Sequence, residues 1–281
     1  MKLERSILEI GLERPVKLLH VTDTHLALCD ERDNERKREM ARRRTSMAKA
    51  LPYLEEHIAY AEENCDLLVH TGDLIDFVSR ANVEKAREIL KNERIFFIAG
   101  NHEYSQYMGE AWEDNAYRMN SYMEIDRMGG FGSPMLWNTR AVGGVNIVGM
   151  DNSYYLFEDW HIQRLKTEVE KGLPVILAFH DPLFEESLYR YHFERVPGEP
   201  CAYLVGCDEE HLGRYSEFRA VQQRPDAPTL RMIGYIRSEP RIKAVLTGHL
   251  HFSFVSDITP SLPQFVTGGG YEGIAREITV V

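Results

Sequence analysis

The chain has 281 residues, 43% of them hydrophobic, which is enough for one large domain with a deep core or for a domain that carries a substantial insertion. Acidic residues outnumber basic ones by 44 to 33, and the net charge of −11 repels nucleic-acid backbones, which argues against bulk DNA or RNA binding. Residues 1–15 lack the apolar stretch of a signal peptide, and no later apolar run has the length of a membrane span. We therefore expect a soluble, cytoplasmic protein.

Short apolar runs rich in β-branched and aromatic residues recur along the chain, with amphipathic segments between them. We predict buried strands over 16–21, 67–70, 95–99, 145–150, 175–179 and 244–247. We predict helices over 31–64, 82–91 and 160–171, the last with Asp159 as its N-cap and Gly172 as its C-cap. Strands that alternate with helices indicate an α/β core.

The pattern changes towards the end of the chain. Three closely spaced strands, 252–257, 264–267 and 276–281, are separated by proline and glycine, and this spacing predicts an antiparallel end. The basic segment 31–44 is expected to be a solvated helix face with internal ion pairs. Residues 182–240 are long for a simple crossover, which favours a lid or a small helical insertion.

The four cysteines, Cys29, Cys65, Cys201 and Cys207, are too few and too irregularly spaced for a disulfide framework. We expect free thiols, with pairing or metal binding by Cys201 and Cys207 as the alternative.

Polar side chains follow five of the six predicted core strands. Because loops that leave the carboxyl ends of adjacent strands converge, we expect them to form one site. They are Asp23, His25, Asp73, Asn101, His180, His249 and His251. A single His or Asp at a strand end is usually a cap or a turn former. Together, these donors would carry a costly charge density unless cations neutralised it.

The donor types indicate which metals the site would hold. Imidazole combined with carboxylate and amide oxygen, without thiolate, suits Mn, Fe or Zn. Seven ligands exceed the usual shell of one ion, so we expect two ions with Asp73 as the bridging carboxylate.

The motifs D-x-H, G-D, G-N-H-E, H-x-P and G-H-x-H, in this order over residues 16–251, resemble those of the calcineurin-like metallophosphoesterase superfamily. The D-T-H-L, G-N-H-E and H-x-P-L forms are closest to its bacterial cyclic-nucleotide phosphodiesterase-like members. Phe77-Val78 stands where the protein Ser/Thr phosphatases have Arg-Gly, which argues against their substrates. The resemblance implies a four-layer αββα sandwich of two mixed β-sheets flanked by helices. Because the chain has no repeats or obvious linkers, we expect residues 1–281 to form a single domain.

The resemblance also implies roles for individual residues. One metal would be held by Asp23, His25, Asp73 and His251, and the second by Asp73, Asn101, His180 and His249. His102 would be the catalytic imidazole beside the leaving group. Asp76 would orient His102, as the matching residue does in the Ser/Thr phosphatases, or it would be the N-cap of the next helix.

Several further residues were assigned from their position in the pattern. We expect His20 to be a hydrogen-bonded core histidine, His70 to be either that or a brace for the ligands, and Asp151 to brace a loop. Tyrosines near the site are expected to pack, with a role at the pocket mouth as the alternative: Tyr104, Tyr107, Tyr154 and Tyr155. Four histidines are expected at the surface: His57, His161, His192 and His211.

The resulting functional hypothesis is a binuclear-metal-dependent phosphoesterase. It would hydrolyse a phosphodiester or phosphomonoester of a small or nucleotide-like substrate through a metal-bridging hydroxide. Two alternatives remain open: a nuclease of the same superfamily, and a metal-stabilised interaction protein without turnover.

Overall fold

The computed structural model describes residues 1–108 and 114–281. Its strands are β1 (Lys2–Leu8), β2 (Val16–Val21), β3 (Leu67–His70), β4 (Ile95–Phe97), β5 (Trp137–Val142), β6 (Val145–Met150), β7 (Val175–Ala178), β8 (Ile242–Thr247), β9 (Phe254–Thr259), β10 (Leu262–Val266) and β11 (Ile274–Val280). Its α-helices are α1 (Glu35–Arg43), α2 (Ala50–Asn64), α3 (Arg80–Ile89), α4 (Asn115–Arg127), α5 (Asp159–Glu170), α6 (Glu186–Arg195), α7 (Glu209–Leu212), α8 (Glu217–Gln223) and α9 (Ala227–Ser238). Short 3₁₀ turns lie at Thr45–Met47, Asn101–Tyr104, Ser153–Tyr155 and Gly270–Glu272.

The strands form two mixed sheets, as expected. The first has the order β1-β11-β2-β3-β4, in which β2, β3 and β4 are parallel and β11 runs antiparallel to β2. The second has the order β5-β6-β7-β8-β10-β9, in which β5 and β9 are antiparallel edge strands beside a parallel centre. Parallel strands with apolar side chains on both faces need cover on both sides.

Successive side chains along a strand point to opposite faces of the sheet, and each face is buried against another layer. Phe96 packs in the core between the two sheets, whereas the next residue, Phe97, packs in the core beneath α2 and α3. On the other side of the molecule, α5 and α9 pack on the second sheet through residues such as Leu165 and Met232. Helices therefore lie outside both sheets, and the four-layer αββα sandwich is confirmed.

Some predicted element boundaries were wrong. The predicted helix 31–64 is interrupted at Arg44, so that α1 and α2 are separate helices. Helix α5 begins one residue early, with Glu158 rather than Asp159 at its N-cap, while Gly172 lies just after its end with φ of 86°. Edge strands β1 and β5 were missed because their partly exposed residues form no continuous apolar run.

The end of the chain is only partly antiparallel. β10 pairs antiparallel with β9 but parallel with β8, and β11 crosses to the first sheet, where it pairs parallel with β1. Hydrophobic patterning could not distinguish these pairings, because it specifies which residues are buried and not which strand lies beside them.

The four histidines expected at the surface are buried: His57, His161, His192 and His211. They lie on the inner faces of amphipathic helices; His57, for example, is on the same face of α2 as Leu54 and Ala61. Burial lowers the pKa of both His57 and His161 to about 4.

The remaining expectations concern thiols and membranes. All four cysteines are free thiols, as predicted, and Cys207 Sγ lies 3.2 Å from the Tyr215 hydroxyl. In the described part of the chain, every helix is too short or too polar to cross a membrane.

Candidate metal centre

The residues predicted to form a site follow strands whose carboxyl ends meet at one edge of the sandwich. Asp23 and His25 follow β2, Asp73 follows β3, Asn101 follows β4, His180 follows β7, and His249 and His251 follow β8. Parallel strands of both sheets thus contribute to the same place. The site lies between the two sheets rather than on either one alone.

The predicted ligands form two adjoining groups, and a third group of His25, Asp76 and His102 shares His25; in each group the candidate ligand atoms lie within 4.8 Å of one another. The first contains Asp23, His25 and His251, and the second contains Asp73, His180 and His249. The groups adjoin, because His25 Nε2 lies 3.7 Å from Asp73 Oδ2 and His180 Nε2 lies 3.9 Å from Asp23 Oδ1.

Several buried atoms of the predicted ligands have no hydrogen-bond partner, namely Asp23 Oδ1, His25 Nδ1, Asn101 Oδ1 and His180 Nε2. The other oxygen of Asp23 is satisfied, because it accepts hydrogen bonds from Thr22 Oγ1 at 2.8 Å and from the backbone N–H of His249 at 2.9 Å. Orphaned donor atoms that converge on a common space are costly unless a cation binds there. The residues present therefore fit a metal centre.

In the metal-free site, nearby carboxylates favour the protonated forms of His180 and His25, whereas burial lowers the pKa of His249 well below its usual range. Although burial opposes it, the carboxylates Asp73 and Asp23 raise the pKa of His180 well above its usual range. The pKa of His25 rises to about 10 because contacts with Asp23 and Asp76 outweigh its burial. Metal ions replace such protons, since an imidazole binds metal in its neutral form.

The backbone at the site is strained. Five of the seven predicted ligands have a left-handed φ: 51° at Asp23, 52° at His25, 55° at Asp73, 70° at His249 and 57° at His251. Non-glycine residues adopt such angles at a cost of about 1–3 kcal/mol each and mainly at functional sites. Directing these side chains inwards therefore lowers the stability of the fold.

Glycines permit the close approach of the ligand loops. A Cβ on Gly100 would collide with Asp73 and His180, and a Cβ on Gly248 would collide with Thr22 and Asp23. These two positions explain why G-N-H-E and G-H-x-H begin with glycine.

His102 lies at the margin of the site. Its Nδ1 lies 2.8 Å from the backbone carbonyl of Asp76, and its Nε2 lies 4.0 Å from Asp73 Oδ2. The side chain is 17% exposed, whereas Asp73 is only 1% exposed. His102 is thus more accessible from outside than Asp73, although less so than His251, which is 38% exposed.

Asp76 contacts His102 differently from our expectation. His102 Nδ1 lies within hydrogen-bond distance of the backbone carbonyl of Asp76. The Asp76 carboxylate lies 3.6 Å from His102 Nδ1 and 3.1 Å from His25 Nδ1, so it is nearer to His25. The alternative role as an N-cap is wrong, because Ser79 caps α3 by accepting from the N–H of Asn82.

A family model described as calcineurin-like phosphoesterase matches residues 16–253, a span that contains every candidate ligand. The chain belongs to the calcineurin-like phosphoesterase family. The resemblance inferred from the motifs is thereby confirmed. Membership of this family supports phosphoester hydrolysis as the class of reaction.

Solved structures with a similar fold are distant in sequence. A putative 5′-nucleotidase from Staphylococcus aureus is 11% identical with a TM-score of 0.45, and the match covers 92% of this chain but 49% of the nucleotidase, so the chain spans about half its length. A dimetal phosphatase from Danio rerio is 15% identical with a TM-score of 0.40, covering 92% of this chain and 89% of that one. A phosphopantetheinyl hydrolase from Mycobacterium tuberculosis is 13% identical with a TM-score of 0.45, covering 91% and 90%. No curated protein matches the chain.

Glu103 is a residue of this calcineurin-like phosphoesterase whose role the motifs alone did not reveal. Its fully buried carboxylate accepts hydrogen bonds from the backbone N–H groups of Asp73 at 2.7 Å, Gly100 at 2.7 Å and Ile75 at 3.1 Å. Burial and the neighbouring Asp73 raise the pKa of Glu103 to about 8, against the opposing effect of these donors. Glu103 thus joins the loops after β3 and β4, and its place in G-N-H-E was the available signal.

Two more residues of the phosphoesterase hold the second group. Asn152 Oδ1 accepts from the backbone N–H groups of His180 at 3.1 Å and Asp181 at 3.0 Å. The Tyr155 hydroxyl lies 3.1 Å from His249 Nε2. Contacts of this kind set the orientation of a metal ligand.

The core histidines behave as hydrogen-bonded residues. His20 lies 2.8 Å from both Thr71 Oγ1 and Thr267 Oγ1, as expected of a core histidine. His70 Nε2 lies 2.9 Å from Thr24 Oγ1, between the two ligands of the D-T-H loop, so His70 braces that loop.

Packing also explains Asp151 and most of the nearby tyrosines. Asp151 accepts a hydrogen bond from the Tyr104 hydroxyl at 2.7 Å and from the N–H of Ser153 at 2.9 Å, and therefore braces its loop. Tyr104, Tyr154 and Tyr155 are buried, in line with the packing role that we expected. Tyr107 lies under the Arg36 guanidinium, 3.9 Å from its ring centroid.

Proposed function

We propose that this chain is a binuclear-metal-dependent phosphoesterase that hydrolyses a phosphodiester or phosphomonoester of a small or nucleotide-like substrate. The main support is the pair of adjoining ligand groups, Asp23–His25–His251 and Asp73–His180–His249, at a place where buried donor atoms lack hydrogen-bond partners. A nucleotide-like substrate remains a prediction from the motif resemblance.

The proposal divides the ligands between two ions. Asp23, His25, Asp73 and His251 would hold the first ion, and Asp73, Asn101, His180 and His249 would hold the second. When bound, the ions would neutralise phosphoryl oxygens and lower the pKa of the attacking water. The mixture of imidazole and carboxylate donors favours Mn, Fe or Zn.

His102 would act on the leaving group. Its Nδ1 is directed at the carbonyl of Asp76 at 2.8 Å, so the ring is fixed and Nε2 is the atom left to face a substrate. A proton on Nε2 would pass to the leaving oxygen as the ester bond breaks, which is worth about 10²–10⁴-fold in rate for general acid catalysis.

Residues 182–240 would form a cover over the second ion within a single domain. Tyr203 in this segment places its ring 5.7 Å from that of His249, and α8 contacts the turn that carries Tyr155. The free thiols of the chain are the basis for proposing a cytoplasmic location.

Turnover of model esters tests this function. Protein loaded with Mn²⁺ would be assayed on bis(p-nitrophenyl) phosphate and p-nitrophenyl phosphate, followed by a panel of cyclic nucleotides, nucleoside monophosphates and glycerophosphodiesters. Asp73→Asn should abolish turnover, and Asp159→Asn, an exposed position paired with Arg231, is the matched control.

Two results would contradict the proposal. Two bound metal ions per chain without turnover of any ester would indicate an interaction protein. Digestion of single-stranded DNA that weakens steeply with salt would indicate a nuclease instead.

A further inference from the structure

A line of three side chains connects the segment after α1 to the first ligand group. Arg44 lies at the break between α1 and α2, and its Nη2 donates to Asp76 Oδ1 at 2.8 Å while its Nε lies 2.6 Å from Asp76 Oδ2. The fully buried carboxylate of Asp76 lies 3.1 Å from His25 Nδ1 on its other side. His25 Nε2 in turn lies 3.1 Å from His251 Nε2, where the first ion would bind.

His25 differs from His180 and His249 in the partner of its outer nitrogen. His180 Nδ1 lies 2.8 Å from the carbonyl of Thr71, and His249 Nε2 lies 3.1 Å from the Tyr155 hydroxyl. Both of these partners are neutral, whereas Asp76 is a carboxylate; the other ring nitrogen of His249, Nδ1, lies 3.5 Å from Asp181 Oδ1. A carboxylate on the outer nitrogen fixes the ring and makes the inner nitrogen a stronger metal donor.

Arg44 offsets the electrostatic cost of burying the Asp76 carboxylate. Asp23, Asp73 and Asp76 are all essentially buried around His25, and a third carboxylate without a fixed positive partner would be costly. A guanidinium can contact both oxygens of a carboxylate in one plane, which an ammonium cannot do. Of its two contacts, Nη2–Oδ1 has hydrogen-bond geometry and Nε–Oδ2 is an ion pair, so Arg44 neutralises Asp76 and holds one of its oxygens in place.

Helix α1, which ends one residue before Arg44, is itself anchored to the site. Lys37 in α1 is buried, and its Nζ donates to the carbonyl of Val78 at 2.5 Å and to Gln106 Oε1 at 3.1 Å. Those acceptors lie in the segments that follow Asp76 and His102. The basic segment is therefore only partly the solvated face that its composition predicted.

We propose that Arg44 is a positioning residue that holds Asp76 against His25 and thereby sets the affinity of the first metal group. This inference rests on the proposed binuclear site. It assigns a role to a residue outside every motif of the family resemblance, and it makes the first ion more sensitive than the second to changes at α1.

Binding of Mn²⁺ alone, without substrate, tests the proposal. Stepwise affinities would be measured by titration calorimetry, and pairing of the ions by electron paramagnetic resonance, for the wild type, Arg44→Met, Arg44→Lys and Arg42→Met. Arg42 is the matched control, because it lies in the last turn of α1, two residues before Arg44, and pairs with the exposed Glu35 and Glu39.

We expect Arg44→Met to weaken one Mn²⁺ site by about 10–100-fold and to leave the other unchanged. At intermediate Mn²⁺ the spin-coupled signal of the wild type should give way to the six-line signal of an isolated ion. Arg44→Lys should recover part of the affinity, and Arg42→Met should match the wild type. In an Asp76→Asn background, Arg44→Met should have little further effect, because Arg44 acts through that carboxylate.

Other outcomes would overturn the proposal. Wild-type affinity at both sites in Arg44→Met, or an equal loss at both sites, would show that Arg44 does not act through His25. If Arg44→Met fails to fold, the same test applies to Arg44→Lys: wild-type affinity at both sites, or an equal loss at both, would contradict the proposal. Two ions bound normally by every Arg44 variant would leave the proposed function intact, whereas a wild type that binds no Mn²⁺ would overturn both.

Discussion

His180 Nε2 lies 3.1 Å from Asp73 Oδ2, yet the two atoms do not form a hydrogen bond. His180 Nδ1 is already directed at the carbonyl of Thr71, so in the neutral ring the proton is on Nδ1 and Nε2 presents a lone pair. Two electron-rich atoms at this distance need a cation or a proton between them. This relationship is the structural basis for expecting metal at the second group.

Metal binding should release protons. The pKa of His25 is raised to about 10 and that of His180 well above its usual range, so both rings are protonated at pH 7 in the metal-free protein. Each must lose a proton to bind an ion, and affinity should therefore rise with pH by about tenfold per unit for each proton released. Calorimetry in buffers of different ionisation enthalpy measures this release, and identical heats in all buffers would contradict it.

His102→Ala should separate catalysis from metal binding. We expect turnover of an ester with a poor leaving group to fall by about 10²–10⁴-fold, because the proton donor is lost. The variant should still bind two Mn²⁺ ions, since His102 lies outside both proposed ligand groups. A nitrophenol leaving group needs less protonation and should show a smaller loss. Equal losses on both esters would argue against a role for His102 as the acid.

Glu103→Gln should destabilise the protein even without metal. Gln has one acceptor oxygen in place of two, so at least one of three buried N–H donors to Glu103 loses its partner, at a cost of about 1–3 kcal/mol. Urea unfolding of the metal-free protein at pH 9, above the raised pKa of about 8 of Glu103 and therefore with its carboxylate ionised, measures this cost. Glu88→Gln is the matched control, because Glu88 is 67% exposed and pairs only with Lys85. Equal stability of the two variants would exclude a bracing role for Glu103.

His57→Leu should reduce acid sensitivity. Burial lowers the pKa of His57 to about 4, while the unfolded chain takes up a proton at its ordinary value of 6.5. The stability that depends on neutral His57 is therefore present above pH 6.5 and is lost as the pH falls towards 4, which amounts to about 2 kcal/mol by pH 5. Urea unfolding at pH 7 and pH 5 should show a smaller drop in the variant than in the wild type. An equal drop in both proteins would indicate that His57 is hydrated when folded.

Much of the core was predictable because it depends on local pattern. The apolar runs at 16–21 and 67–70 coincide with β2 and β3, and Leu18 and Leu19 face opposite sides of the first sheet as alternation requires. Edge strand β1 has no such run, because one side of it faces solvent, and its pairing with β11 joins opposite ends of the chain.

The candidate site was likewise predictable only where it depends on local pattern. By itself, the sequence determined the family and brought together Asp23, Asp73 and the histidine ligands, because each follows an apolar run and parallel strands bring such ends to one edge. Only the tertiary structure decided that the Asp76 carboxylate meets His25 and Arg44. Arg44 and Asp76 lie 32 residues apart, and no periodicity records which polar groups meet across such a distance. Their contact follows from the packing of α1 against the site. The sequence did not predict this packing, because most other residues of α1 are charged and at least partly solvent-exposed.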